Sequence, residues 1–219
     1  MPYRKLKIKV CGMKYTENID ELLVLQPDYV GFIFYDKSPR FLTTPWAVFS
    51  STFLIGTRKV GVFVDEQVVN ILQKSTDLGL EVVQLHGHES PQMCSELRDT
   101  GLEVMKAFRV GDNFDFEQLR DYTVGCDYFL FDASGPNPGG NGIRFDWNNL
   151  QNYRFDVPFF LSGGIDVEHV EEIKAIRHPQ LYGIDLNSKF ETQPGLKDVA
   201  RVRQFVEALR AEPIHPSYK

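Results

Sequence analysis

Apolar residues fall in short runs that recur along the whole chain: Leu6–Val10, Tyr29–Phe34, Val60–Val64, Val82–Leu85, Val104–Phe108, Tyr128–Phe131, Phe159–Leu161 and Leu181–Leu186. In "VGVFV", "DYFLF" and "PFFLS" nearly every position is apolar, where a half-exposed strand would alternate. Strands apolar on both sides are covered on both sides, the pattern of a parallel sheet. Amphipathic segments lie between the runs, each with start or stop chemistry. "TENIDELLVLQ" begins at Thr16 as N-cap, and "DEQVVNILQKSTDLG" ends at Gly79 as C-cap. "SPQMCSELRDTG" has Ser90 as cap, Pro91 in the first helical position and Gly101 at its end. "DVEHVEEIKAIR" starts at Asp166 and finishes on basic residues. Small polar residues satisfy the first N–H groups of a helix, Pro fits its first turn, and Gly stops it.

The chain therefore reads as strand and helix in alternation, eight times over. Such βαβ units cross over right-handed, and eight of them predict an α/β fold with a single (β/α)8 TIM barrel over residues 1–219. A doubly wound open sheet is the rival arrangement. No internal stretch is rich enough in Pro, Gly or Ser to divide the chain, and residues 211–219, "AEPIHPSYK", read as a loosely ordered tail. The composition, 219 residues with 42% hydrophobic and 25% charged, supports one sizeable core. A net charge of −6 and the absence of a basic stripe argue against nucleic acid as a partner. No apolar run reaches the roughly 18 residues of a membrane span. The N-terminus leads directly into a strand with no signal-peptide core. Three cysteines, with no C-x-x-C spacing, fit neither a disulfide framework nor a zinc site. A reducing cytoplasm is the expected compartment.

In a barrel of this kind the chemistry sits at the C-terminal ends of the strands. The residues there are Cys11-Gly12, Ser38-Pro39-Arg40, Asp65, Gln84 to Gly87, Arg109, Asp132, Ser162-Gly163-Gly164 and Asp185 to Ser188. This rim is polar and glycine-rich, unlike the strands beneath it. Gly163-Gly164 in "SGGID", between a buried strand and a helix start, can turn backbone N–H groups toward an anion, as can the turn at Asn187-Ser188. A phosphate site after strands seven and eight is the expectation. Arg40 suits bidentate capture of a carboxylate. The long polar loop at 134–147 is a candidate lid. His86 and His88 lack a third ligand at fixed spacing, so His86 reads as lining a pocket and no metal is expected. Cys94, in an amphipathic segment, and Cys126, before a strand, read as structural. No Walker-type loop, nucleophile elbow or dinucleotide fingerprint appears, and nothing requires a cofactor. Cys11 is either a small core hydrophobe or a thiol in chemical use.

"KVCGM", "GFIFYDKSPRFL", "VGVFVDE", "VQLHGHES", "LFDASGPNPGGNG", "FFLSGGI" and "GIDLNSKFETQPGLKD" together resemble the phosphoribosylanthranilate isomerases of tryptophan biosynthesis, in the family's order and over about residues 6 to 210. The resemblance implies a cofactor-free barrel that converts N-(5-phosphoribosyl)anthranilate to 1-(2-carboxyphenylamino)-1-deoxyribulose 5-phosphate by an Amadori rearrangement. It implies Cys11 as general base, Asp132 as general acid, Arg40 on the anthranilate carboxylate, and Gly163 and Gly164 with the Asn187-Ser188 turn on the phosphate. The sequence departs from the family at Lys189, where a small residue is usual, so an added cation near the phosphate is expected. The partner implied is a small-molecule substrate, with the protein a monomer or homodimer. The competing readings are another phosphate-binding barrel, such as indole-glycerol-phosphate synthase or a sugar-phosphate epimerase, and a non-catalytic sugar-phosphate binder. The synthase would want rim lysine and glutamate and the epimerase metal ligands, while a binder would not need both Cys11 and Asp132.

Overall fold

Eight parallel strands pair in chain order and the eighth closes on the first. They are β1 Lys7–Cys11, β2 Tyr29–Ile33, β3 Arg58–Phe63, β4 Val82–Leu85, β5 Glu103–Val110, β6 Tyr128–Ala133, β7 Phe159–Leu161 and β8 Leu181–Leu186. The computed structural model describes residues 5–43, 56–133 and 144–211. Closure into a barrel, rather than an open sheet, is the architecture the alternation predicts. The expected tail lies outside the described residues except for Ala211, as does most of the loop at 134–147.

Strands β1 and β6 run past their apolar runs into the polar rim. Cys11 is the last residue of β1 and pairs with Gly31, while Asp132 lies inside β6 opposite Arg109. The ladder continues beneath polar side chains because backbone pairing is indifferent to what the side chain carries.

Among the described residues the α-helices are α1 Thr16–Leu23, α2 Val68–Leu78, α3 Pro91–Arg98, α4 Val170–Ala175 and α5 Val199–Arg210. Their apolar stripes pack onto the outside of the barrel, as with Ile71 and Leu78 of α2 or Val202, Phe205 and Val206 of α5. The expected caps hold at Ser90, which accepts from the Met93 N–H at 3.2 Å, and at Gly79, left-handed with φ 59°. Thr16 is the first helical residue and not the cap, which falls on Tyr15. After β5 and β6 the connections are 3-10 segments, Phe116–Tyr122 and Trp147–Asn152. Their large apolar residues recur every third position: Phe116, Leu119 and Tyr122, then Trp147, Leu150 and Tyr153. That spacing makes a straight stripe at 3.0 residues per turn and a drifting one at 3.6. Beyond β8 a short hairpin, β9 Glu191–Gln193 with β10 Leu196–Lys197, precedes α5.

The barrel interior changes character along its axis. Its lower part is an apolar plug in which Tyr29, Val60, Val82, Met105, Ala107, Leu130 and Phe160 are buried, with Tyr128 and Tyr182 packed against them. Phe160 meets the rings of Tyr29, Tyr128 and Tyr182 at 5.3, 5.7 and 5.4 Å. Gly183 makes room for it, since a Cβ there would lie 2.5 Å from Phe160 Cε1. Above the plug the inward positions become polar. The join is a buried ion pair across the closing seam, where Lys9 of β1 faces Asp185 of β8 with Nζ 3.0 Å from both carboxylate oxygens.

The plug carries stability and lies below the polar rim. Phe160→Ala should therefore cost about 3–5 kcal/mol, read from chemical denaturation, and leave kcat of the folded variant within about threefold. A loss under about 1 kcal/mol would mean that the plug is not tightly packed.

Candidate active site

Cys11, Arg40, His86, Asp132, Gly163, Gly164, Asn187 and Ser188 all line one pocket at the C-terminal mouth of the barrel. Its wall also includes Tyr35, Ser38, Gln84, Ser162, Asp185 and Lys189. Two charged rim positions from the sequence do not line it. Arg109 is exposed and outside the lining. Asp65, with φ 51°, is a loop clamp whose carboxylate accepts from the His88 N–H and Nδ1. Cys94 and Cys126 are buried free thiols away from the mouth. Of the loop at 134–147, residues 134–143 lie outside the described residues. Its end is fixed by Arg144, which lies over the Trp147 ring at 4.6 Å and pairs with Glu172.

Cys11 closes β1 with its thiol turned inward and 3% of the residue exposed. Gly31 on β2 gives it space, since a Cβ there would lie 2.7 Å from Sγ. Lys9 stands two residues below on the same face of the strand. Burial works against the Lys9 charge, but the Asp185 carboxylate and Cys11 outweigh it and hold the ammonium above the ordinary lysine range. Burial pushes the Cys11 thiol up, against the pull of Lys9 and Lys197. A base at this position must be partly thiolate, and the resting thiol is instead weighted toward its protonated form.

Asp132 is buried on β6 and accepts from Ser162 Oγ at 3.2 Å. His86 Nε2 lies 3.4 Å from its other oxygen. Gln84 Nε2 donates to His86 Nδ1 at 2.8 Å, and this assignment places the ring proton on Nε2, facing the carboxylate. His86 Nε2 and Gln84 Oε1 are buried without a hydrogen-bond partner among the described residues. One is a donor and the other an acceptor, and both belong to residues of the pocket wall. Buried polar atoms are rarely left unpaired, so a ligand is the natural partner for both.

Gly163 and Gly164 have φ 86° and 64°, where a side chain is strained. A Cβ at Gly163 would also lie 2.4 Å from the Ala133 nitrogen and 2.9 Å from Asp132 Oδ1. Among the described residues no backbone carbonyl takes up the N–H of either glycine. Asn187, Ser188 and the exposed Lys189 stand on the same wall, so the position expected to hold an added cation does face this pocket.

Arg40 is not a freely solvated loop arginine. Its Nε lies 2.9 and 3.0 Å from the two oxygens of Glu191, and its Nη2 is 2.7 Å from one of them. The Glu191 carboxylate also takes the buried ammonium of Lys197 at 2.5 Å. The sequence reading missed Lys9, Glu191 and Lys197. Lys9 had a signal in the strand's alternation, which puts it on the same face as Cys11. Glu191 and Lys197 had none beyond their place in a polar segment after the last strand.

Three comparisons bear on the pocket. The family model described as N-(5'phosphoribosyl)anthranilate (PRA) isomerase matches residues 8–208. A protein of Parabacteroides distasonis named N-(5'-phosphoribosyl)anthranilate isomerase is 42% identical over 214 residues, 96% of this chain and 94% of that one. Its namesake in Zymomonas mobilis is 35% identical, covering 94% of this chain and 98% of that one. Among solved structures, phosphoribosyl anthranilate isomerase of Thermus thermophilus superposes with a TM-score of 0.80 at 28% identity, covering 93% of this chain and 98% of that one. A phosphoribosyl anthranilate isomerase in complex with reduced 1-(o-carboxyphenylamino)-1-deoxyribulose 5-phosphate gives 0.77 at 28% identity, covering 94% and 98%.

Gly163 packs so close to β6 that an added Cβ would collide with Ala133 and Asp132. Gly163→Ala should cost about 1–3 kcal/mol of stability in chemical denaturation, from the strained φ alone. By displacing Asp132 it should also lower kcat in the variant that remains folded. Parent-like stability would show that the turn relaxes freely.

Proposed function

The chain belongs to the N-(5'-phosphoribosyl)anthranilate isomerase family, and on that premise we propose that Cys11 and Asp132 carry out the proton transfers of its reaction at the barrel mouth. It is an isomerase of tryptophan biosynthesis acting on a small-molecule substrate. The observation that carries the assignment of roles is that one buried thiol and one buried carboxyl, from β1 and β6, line the same pocket as the glycine turn and Arg40.

The substrate is an aldosamine and the product its ketose isomer, so no atoms enter or leave. Asp132 gives a proton to the ribose ring oxygen. As the ring C–O bond breaks, the anilino nitrogen lone pair forms the C=N bond of a protonated Schiff base. The Cys11 thiolate then removes the proton from C2, and the electrons of that C–H bond neutralise the iminium to give an enolamine. Protonation at C1, with the C2 hydroxyl giving up its proton as the C2=O bond forms, yields the ketose and leaves the proton count unchanged. Each positioned proton-transfer group is worth roughly 10²–10⁴ in rate. His86 and Gln84, each with a buried polar atom that makes no hydrogen bond among the described residues, hydrogen-bond the substrate beside Asp132. Gly163, Gly164, Asn187 and Ser188 hold the phosphate with Lys189 alongside, and Arg40 takes the anthranilate carboxylate. This use of both Cys11 and Asp132 favours an enzyme over a sugar-phosphate binder.

The remaining features of the proposal are a cytoplasmic protein, monomeric or homodimeric, with residues 1–219 forming one barrel domain that needs no cofactor. Three free cysteines support the reducing compartment. No helix among the described residues is long and apolar enough to cross a membrane. One structural relative, from Thermotoga maritima, is described as monomers generated from a dimeric enzyme.

Cys11→Ala and Asp132→Asn should each lower kcat by about 10²-fold or more in single-turnover assays, with circular dichroism unchanged. Rates near the parent's in Cys11→Ala would return that thiol to a core-filling role.

The pH dependence has a definite sign. Cys11 acts only when deprotonated, and burial raises its pKa above the ordinary thiol value of about 8.5. The thiolate fraction, and with it the rate at which an alkylating reagent modifies Cys11, should climb about tenfold per pH unit through neutrality and still be rising above about pH 8.5. An alkylation rate at Cys11 that is flat from about pH 7 to 9 would contradict a thiol held above its ordinary range.

A further inference from the structure

We propose that Glu191, which lies behind Arg40 and outside the pocket wall, is the positioning residue through which the enzyme recognises the carboxylate end of its substrate. The inference rests on the reading of Arg40 as the carboxylate anchor and adds what makes Arg40 fit for it.

A loop arginine has many rotamers, and a rigid fork is useful for recognition only if something fixes its plane. Glu191 does so from a buried position, its side chain 4% exposed against 13% for Arg40. It engages the Nε and Nη2 side of the guanidinium. Among the described residues, no side chain or carbonyl takes up Nη1. The end of the fork, Nη1 with the outer Nη2 hydrogen, is thus presented in a fixed plane. A second carboxylate meeting that edge accepts two parallel bonds.

Backing a cation with a carboxylate should spoil it for a second anion, and here Lys197 prevents that. Its side chain is 0% exposed, and its ammonium lies 2.5 Å from Glu191 Oε1 and 2.8 Å from Asn187 Oδ1. With Arg40 and Lys197 each +1 and Glu191 −1, the cluster keeps one positive charge. Burial opposes the Glu191 charge, but the bonds from Arg40 and the field of Lys197 hold the carboxyl below its usual range. Burial lowers Lys197 to about 8 against the pull of Glu191, which leaves it protonated at neutral pH.

The local chain is built around the same contact. Gly195, with φ 86° in the turn between β9 and β10, donates its N–H to Glu191 Oε1 at 3.2 Å. Gly12, with φ 79°, lets the Arg40 stem lie close, since a Cβ there would be 2.8 Å from Arg40 Cδ. The hairpin after the eighth strand thus presents one carboxylate to one guanidinium.

The test uses reduced 1-(o-carboxyphenylamino)-1-deoxyribulose 5-phosphate and its counterpart lacking the carboxylate, titrated calorimetrically into the full-length parent, Glu191→Gln, Glu191→Asp and Arg40→Met. In Glu191→Gln the preference for the carboxylated ligand should fall about tenfold or more. KM should rise by a similar factor, with kcat within about threefold. Affinity for the ligand without the carboxylate should stay at the parent value, which reports an intact site. Glu191→Asp keeps the charge but withdraws the carboxylate by one methylene, and should lose part of the preference. It decides the matter if the glutamine variant does not fold. A parent-like preference in the folded Glu191 variants, with the preference lost in Arg40→Met, would overturn the role of Glu191 and leave the reading of Arg40 standing. A parent-like preference in Arg40→Met would overturn both.

Discussion

Closing eight strands into a barrel requires the last to pair with the first, and at that seam Lys9 faces Asp185 in the interior. Closure removes every open edge of the main sheet, but it also fixes which side chains share the small central volume. The ion pair lies where the aromatic plug ends. Removing either partner would leave an uncompensated buried charge, a loss of about 3–5 kcal/mol. The same pair places a fixed ammonium below the Cys11 thiol. One contact therefore serves the closure of the fold and the electrostatics of the mouth.

The axis of the barrel divides the work. Below the pair, Tyr29, Tyr128, Phe160 and Tyr182 fill space with edge-to-face and tilted ring contacts. Above it, Gln84, His86, Asp132 and Ser162 form a wall in which two buried polar atoms have no hydrogen-bond partner among the described residues. An arrangement of this kind is unfavourable for an empty protein and suits one that meets a polar ligand there. Beside that wall, the Arg40, Glu191 and Lys197 cluster is satisfied internally and still carries net positive charge.

Much of this was legible in the sequence, for identifiable reasons. Runs such as "VGVFV" declare strands buried on both sides, and the caps at Ser90 and Gly79 mark helix ends by backbone chemistry alone. Placing Cys11, His86, Asp132, Gly163 and Asn187 in one pocket followed from the position of strand ends in a barrel. The alternation implies a helix after each strand and does not single out Phe116–Tyr122 and Trp147–Asn152, whose repeat of three suits a 3-10 turn. Lys9 was missed because a charged residue in a strand ordinarily faces solvent. Arg40 is legible as a carboxylate-binding candidate, but its pairing with Glu191, 151 positions away, is not. Local pattern cannot pair residues that only barrel closure brings together.

The central claim is that the Cys11 thiol faces the substrate from the barrel mouth, and selective alkylation tests it directly. Iodoacetamide modification is followed by mass spectrometry at Cys11, Cys94 and Cys126 alongside residual activity, with and without the reduced product analogue. The account predicts that activity falls in proportion to modification at Cys11, that modification accelerates with rising pH, and that the analogue blocks both. An enzyme that keeps full activity with Cys11 alkylated, or whose Cys11 is alkylated equally fast with the analogue bound, would contradict it.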